Sequence, residues 1–317
     1  MVPNVIVHWD GGQQVRLFYT DHFELPLPDG HRFPMDKYRL LRQRVAQSED
    51  FLNDPLLVPP AASDAQLLLC HTANYVQAVC NGKLTSAEIR RIGFPWSEKM
   101  VERSRRSTGA TIAAARAALD ERIALNLAGG THHAFADAGE GYCVFNDAAV
   151  AIRSLQSEGL IKRACVLDLD VHQGNGTASI FASDPSVFTV SIHGEKNFPL
   201  RKVASSLDIN LPNGTTDAEY HGAVEHAIGR VQANADNSGY IDLVIYLAGA
   251  DPYEHDRLGR LSLTKAGLRQ RDEIVMKWAK NNGIPIVVVM AGGYAPNVQD
   301  IVDIHLASLL VAKNTYR

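Results

Sequence analysis

The sequence predicts an α/β fold, with a mostly parallel β-sheet covered by helices on both faces to make three layers. Two observations carry this expectation. The β-rich apolar runs are nearly continuous rather than alternating: RIALNLAGG (122–130), ACVLDLD (164–170), SVFTVSIH (186–193), DLVIYLAGAD (242–251) and IPIVVVMAGG (284–293). Strands of a parallel sheet read this way because neither of their faces meets water. The second observation is that segments with helical patterning alternate with these runs, and strand–helix alternation is how such sheets are wound.

The elements follow in order. Residues 97–119 are Ala-rich and helical, with Ser97 as a cap. A helix over 146–159 starts at Asn146, whose side chain can accept from the first free backbone N–H groups, and stops at Gly159. Helices are expected over 216–235, opening at Thr216 or Asp217, and over 264–283, from Thr264 to Gly283. The Pro-rich stretches 25–34 and 56–64 read as surface loops. With no internal repeat and no low-complexity linker, residues 1–317 are expected to form a single domain.

Composition narrows the class. The chain of 317 residues is 46% hydrophobic and 21% charged, enough for a large soluble core. A net charge of −4 gives no bulk attraction to nucleic acid. The cluster Arg103, Arg105 and Arg106 reads as the solvated face of a helix. Four cysteines without CxxC spacing point to a reducing compartment. The N-terminus has no secretory pattern and no apolar run reaches membrane-spanning length, so the expected location is cytoplasmic.

The residues with chemical potential sit at the C-terminal ends of the strands, in GGTHH, DLDVHQGN, GAD and AGGY. Open α/β sheets bind ligands there, so these ends should converge on one crevice. In DLDVHQGNGT (168–177), Asp168, Asp170 and His172 alternate and would point the same way along an extended segment. Carboxylates with an imidazole suit zinc or another divalent transition ion, iron included, and Asp251 from a second strand is the natural further ligand. Strand-end aspartates also serve as caps and turn formers, but the whole string favours a metal. A hydrolytic site also needs a base, and His132 and His133 supply it if the chain bends so that both face the cavity. Asp168 and Asn175 are candidates to orient those rings. Tyr294, after a glycine pair, could donate to a developing oxyanion. Cys143 lies beside these residues and is expected to be buried.

Taken together, GGTHHA, GYCVFND, DLDVHQGNGT, GAD and GGY, in this order, resemble the zinc-dependent histone deacetylase family of the arginase–deacetylase fold. The similarity runs from about Tyr19 to the C-terminus, including GHRFPMDKYRLLRQRV (30–45) and HTANYV (71–76). HQGNG is closest to class IV and its bacterial relatives, and Gln173 replaces the commoner histidine. The first 15 residues, with His8, Trp9 and Asp10, have no counterpart.

The resemblance implies that Asp170, His172 and Asp251 bind zinc, and that His132, paired with Asp168, and His133, paired with Asn175, face the reacting water and leaving amine. It implies Tyr294 as the residue that polarises the carbonyl, with His133 as base and then acid. Gly141, Tyr142 and Phe198 would line the channel for an acyl-lysine stem, Phe198 facing Tyr142. A structural potassium near Asp168, Asp170, His172, Ser191 and Ile192 is also implied. The expected activity is hydrolysis of an acyl group, acetyl or longer, from the ε-amine of lysine in a protein or peptide. The alternatives are deacetylation of acetylpolyamines or other small amines and a non-catalytic acyl-lysine-binding scaffold. A two-metal hydrolase of the same fold would need an aspartate where Gly174 stands.

Overall fold

A computed structural model of the chain describes residues 14–23 and 25–317; the extension residues His8, Trp9 and Asp10 lie outside the described residues. The strands are β1 (Arg16–Phe18), β2 (Leu56–Leu57), β3 (Ile123–Asn126), β4 (Ala164–Asp168), β5 (Val187–Gly194), β6 (Leu207–Leu211), β7 (Leu243–Leu247) and β8 (Ile286–Val289). They form one eight-stranded sheet in the order β2-β1-β3-β8-β7-β4-β5-β6, every neighbouring pair parallel. The helices are α1 (Asp36–Gln47), α2 (Asp64–Leu67), α3 (Ala73–Cys80), α4 (Ser86–Ile92), α5 (Glu98–Glu121), α6 (Asp147–Ser157), α7 (Asn175–Phe181), α8 (Asp217–Ser238), α9 (Lys265–Asn281) and α10 (Val298–Tyr316).

The continuous apolar runs are explained by two cores. Along β7, Val244 and Tyr246 pack into one cluster with α8, α9 and α10, whereas Leu243, Ile245 and Leu247 pack into the other with α5 and α6. Successive side chains leave a strand on opposite faces, so both must be apolar where both faces are covered. The predicted caps hold the helices in place. Ser97 accepts from Met100 N at 3.1 Å, Asn146 from Ala149 N at 3.0 Å and Thr264 from Gly267 N at 2.9 Å. Thr216 closes a reciprocal box with Glu219, each side chain bonding the other's end of the first turn.

Several details depart from the sequence expectations. The apolar runs overshoot their strands: β3 ends at Asn126, yet Leu127 and Ala128 stay buried because the loop itself lines the interior. Segment 56–64 contributes a short edge strand, and Leu25 and Phe33 in 25–34 are buried. The Arg103, Arg105 and Arg106 cluster is not a solvated face. Arg103 is buried over the rings of Phe33 and Tyr38, Arg105 bonds Ala62 O and pairs with Asp64, and Arg106 bonds Pro59 O and lies over Phe23. From α5 these arginines reach Phe23, Phe33, Tyr38, Pro59 and Ala62, so they tie down neighbouring segments of the chain. All four cysteines are free and Cys143 is buried, as expected. No helix among the described residues is long and apolar enough to cross a membrane.

Candidate active site

Four adjacent central strands, β3, β8, β7 and β4, deliver the site from their C-terminal ends. After β3 the chain reaches His132 and His133 through Gly129 and Gly130, at φ +80° and +78°. A side chain at either position would be strained and would run into Asp147 or Ala291. Asp147, at the start of α6, holds this bend by accepting from Gly130 N at 3.0 Å and Thr131 N at 2.7 Å. The bend is what lets neighbouring histidines face one cavity: their ring centroids are 4.1 Å apart.

The two histidines have different partners and therefore different protonation. His132 Nδ1 lies 2.6 Å from Asp168 Oδ2 and its Nε2 lies 3.9 Å from Asp170. Burial works against a charged ring, but the two carboxylates outweigh it and raise His132 to about 9. His133 Nδ1 lies 2.7 Å from Asn175 Oδ1. Burial, then the cationic rings of His132 and His172, push His133 well below the usual imidazole range, and the neutral amide of Asn175 gives little support to the charged form. His133 is thus the free base of the pair. Asn175 in turn donates from Nδ2 to Glu140 at 3.0 Å, and Arg91 pairs with Glu140 at 3.3 Å, so a chain of contacts runs from His133 to the surface.

Beyond β4 the backbone bends, so Asp168, Asp170 and His172 do not share one direction. Asp168 turns to His132, while Asp170 and His172 turn to Asp251 at the end of β7. His172 Nδ1 lies 3.0 Å from Asp170 Oδ1 and 3.1 Å from Asp251 Oδ2, and one donor atom from each residue falls within 4.8 Å of the others. All three are buried. The site draws in positive charge: the two carboxylates outweigh burial and raise His172 to about 10, while burial and then Asp170 push Asp251 up to about 7. Two hard oxygen donors and one imidazole nitrogen, with glycine at 249 and 292 because any Cβ there would run into Asp170 and Asp251, fit a divalent cation.

Tyr294 follows β8 and lines the same cavity. Its ring centroid is 6.2 Å from that of His172. Burial and the charges of Asp251 and Asp170 push its phenol well above the ordinary value, so it remains a hydrogen-bond donor. The cavity has a volume of about 550 Å³, and Gly141, Tyr142 and Phe198 line it. Phe198 stands 4.9 Å from the His133 ring and Tyr142 stands 6.0 Å from the Tyr294 ring, and both line this cavity. Tyr142 (φ +66°) and Ala291 (φ +55°) are left-handed non-glycine residues. Such backbone costs about 1–3 kcal/mol each and is held here by surrounding contacts. Tyr142 N, for instance, bonds Ile92 O at 2.7 Å.

With this geometry in view, the histone deacetylase domain matches residues 31–309. The chain belongs to the histone deacetylase family. An uncharacterized protein of Picosynechococcus sp. is 42% identical over 298 residues, covering 94% of this chain and 98% of that protein. Histone deacetylase 2 of Arabidopsis thaliana is 32% identical, covering 89% and 75%. The crystal structure of the HDA15 HD domain superposes with a TM-score of 0.80 at 24% identity, covering 96% of this chain and 89% of that one, which shows the shared arginase–deacetylase fold. The chain is therefore a hydrolase of this family, with a buried Asp/His/Asp group suited to a metal.

Gln173 and several residues that the sequence does not flag hold this deacetylase-family site together. Asp256 accepts from Tyr294 N at 2.6 Å and from Leu258 N and Gly259 N, tying the tyrosine loop to the cavity wall. Lys37 is buried, lies over the Tyr294 ring and bonds the carbonyls of Ala291 and Gly293. Arg271, fully buried beside Asp272, bonds Gly249 O at 2.6 Å just before Asp251. His71 bridges Phe135 O and Asn146 N. Gln173 does not face the ligand cluster: it bonds Val203 O, Val203 N and Asp208, bracing the loop that carries Phe198. Local sequence offers little to flag such residues, since each acts on a segment distant in the chain.

Proposed function

We propose that this protein hydrolyses the acyl group, acetyl or longer, from the ε-amine of lysine in a protein or peptide. Asp170, His172 and Asp251 would hold the metal, with zinc as the expected ion and ferrous iron as the alternative. Bound there, a divalent cation supplies Lewis acidity toward a carbonyl and an attacking water. His133, neutral at working pH, takes the proton as the nucleophile forms and returns it to the departing amine. His132, kept cationic by Asp168, adds positive charge beside the developing oxyanion. Asn175 holds His133 through Nδ1, so that Nε2 is free to act. Tyr294 donates a hydrogen bond from its hydroxyl to the carbonyl oxygen as charge builds there. Gly141, Tyr142 and Phe198 enclose the acyl-lysine stem and exclude water.

The observation that carries this reading is a convergence of side chains: His133, Tyr294, Asp170 and His172 line one pocket at the floor of the cavity, and Asp251 completes the Asp/His/Asp cluster there. A structural potassium beside Asp168, Asp170, His172, Ser191 and Ile192, a single domain over the whole chain and a cytoplasmic location complete the proposal. The test is a panel of acetyl-lysine peptides, fatty-acyl-lysine peptides and acetylpolyamines, with and without a chelator. Chelator-sensitive release of the acyl group from lysine is expected. Exclusive turnover of acetylpolyamines would replace the substrate assignment, and turnover of none would favour a binding scaffold.

A further inference from the structure

The mouth of the cavity carries a charge opposite to that of the chain. Its lining includes four cations, Arg90, Arg91, Lys196 and Arg260, and one carboxylate, Glu140, in a protein with a net charge of −4. Glu140 is already committed to Arg91 and Asn175. Arg90, Lys196 and Arg260 are exposed, and among the described residues their side chains have no ion pair or hydrogen bond. Glu195 is exposed next to Lys196 but lines no part of this cavity. Cations paired with neighbouring carboxylates would cancel one another's field at a distance. Three unpaired cations around one opening instead produce a local positive potential, focused by the low-dielectric walls of the cleft. Apolar contact is available beside them: Phe198 is 39% exposed and Leu200 is 94% exposed on the same rim.

From this we infer that the substrate is an N-acyl amine carried on an anionic molecule, with carboxylates beside the acylated lysine. The inference rests on the acyl-lysine reading above and sharpens it. The acylated ε-nitrogen is uncharged, so it enters the channel without electrostatic cost, while flanking carboxylates remain outside and face the cationic rim. An acetylated polyamine carries its remaining ammonium groups toward that rim and is repelled. A lysine-rich tail is repelled likewise. Two sources share the favoured chemistry: acidic peptide segments of a protein, and small acylated amino acids with a free carboxylate.

The test uses the wild-type protein and acetyl-lysine peptides flanked by aspartates, by serines or by lysines, together with free Nε-acetyl-lysine and an acetylated diamine. At low salt the acidic peptide should exceed the basic one in kcat/KM by about tenfold or more. The gap should narrow toward unity near 1 M salt, where screening acts over about 3 Å. Reversing Arg90→Glu, Lys196→Glu and Arg260→Glu together should invert the order, and the neutral series Arg90→Gln, Lys196→Gln and Arg260→Gln should level it if the reversal variant does not fold. A larger rate for free Nε-acetyl-lysine than for any peptide assigns the small-molecule source; the opposite order assigns the peptide. Equal rates for acidic and basic peptides, or a faster acetylated diamine, overturn the inference while leaving the hydrolase reading intact. If no compound is turned over, the hydrolase reading fails instead. Fluorescence anisotropy with the same labelled peptides then decides the rim: tighter binding of the acidic peptide supports the inference, and equal binding ends it.

Discussion

At the floor of the cavity the polar and charged groups answer one another: His132 has Asp168, His133 has Asn175, and His172 lies between Asp170 and Asp251. At its mouth, Arg90, Lys196 and Arg260 face solvent without a partner among the described residues. The floor is rigid because each buried polar atom that lost its partner would cost about 1–3 kcal/mol or more. The mouth costs almost nothing to alter, because exposed charges contribute only about 0–1 kcal/mol each. The reaction type is thus tied to the part of the molecule that cannot drift, and substrate choice to the part that can. Substitutions at the floor should abolish chemistry, whereas those at the mouth should redirect it.

The largest effect is expected from Asp251→Ala. It removes one donor of the cation cluster and leaves Asp170 and His172 facing each other. Metal content measured by elemental analysis should fall to baseline, and activity with it; full metal occupancy would remove Asp251 from the ligand set. His133→Ala should keep its metal while turnover falls by about 10²–10⁴, the usual range for a lost general base. Tyr294→Phe should lose about 10²–10³ in kcat with metal and fold retained, as for other deleted oxyanion donors. Near-wild-type rates in both variants would break the proposed mechanism, though not the family assignment.

The floor was far more legible in the sequence than the segments that support it. Continuous apolar runs announced five of the eight strands because parallel strands are covered on both faces, as Val244 and Ile245 illustrate. The edge strands β2 and β6, and β1 beside β2, escaped. β1 and β2 are only 3 and 2 residues long, and β6, with exposed and half-buried positions, has no continuous apolar run to betray it. Helix α10 was also missed, although Asn297 caps it by accepting from Gln299 N. His132, His133, Asp170, His172, Asp251 and Tyr294 stood out because reactive residue types clustered at strand ends. The bend after β4 breaks the simple alternation that would have pointed Asp168 with Asp170 and His172, yet Asp168 lies against His132, the partner expected for it from the sequence. Asp256, Lys37 and Arg271 act through backbone carbonyls and amides of other loops, and nothing in their local sequence records those partners.

A smaller effect should appear in the pH dependence of stability, through His71. Its Nδ1 donates to Phe135 O and its Nε2 accepts from Asn146 N, so the fold requires the neutral ring. Burial lowers its pKa to about 4. As pH falls below about 6.5, the unfolded chain binds the proton first; stability is complete above that value and is lost as pH approaches the folded-state pKa. A shift from 6.5 to about 4 corresponds to about 3 kcal/mol. Urea unfolding at pH 7 and pH 4.5 should therefore show a larger loss for the wild type than for His71→Asn. Other titrating groups are common to both proteins, so parallel pH slopes would mean that the His71 ring is not held neutral.

The smallest effect tests the seam between floor and mouth. Gln173 directly follows His172 of the Asp/His/Asp cluster, yet its amide spans Val203 and Asp208 and its backbone N–H bonds Phe198 O at 3.3 Å. It thereby fastens the rim loop to the strand end that carries Asp170 and His172. Gln173→Ala removes three side-chain bonds but leaves every floor contact in place. A loss of about 1–3 kcal/mol in stability is expected from the partners left behind. KM should rise several-fold with kcat nearly unchanged, because a looser Phe198 encloses the substrate stem less well while His133 and Tyr294 keep their positions. Unchanged metal content would accompany this result. A fall in kcat at constant KM would instead show that the mouth and floor are coupled through this residue, and that the division between a rigid reacting centre and an adjustable rim does not hold at position 173.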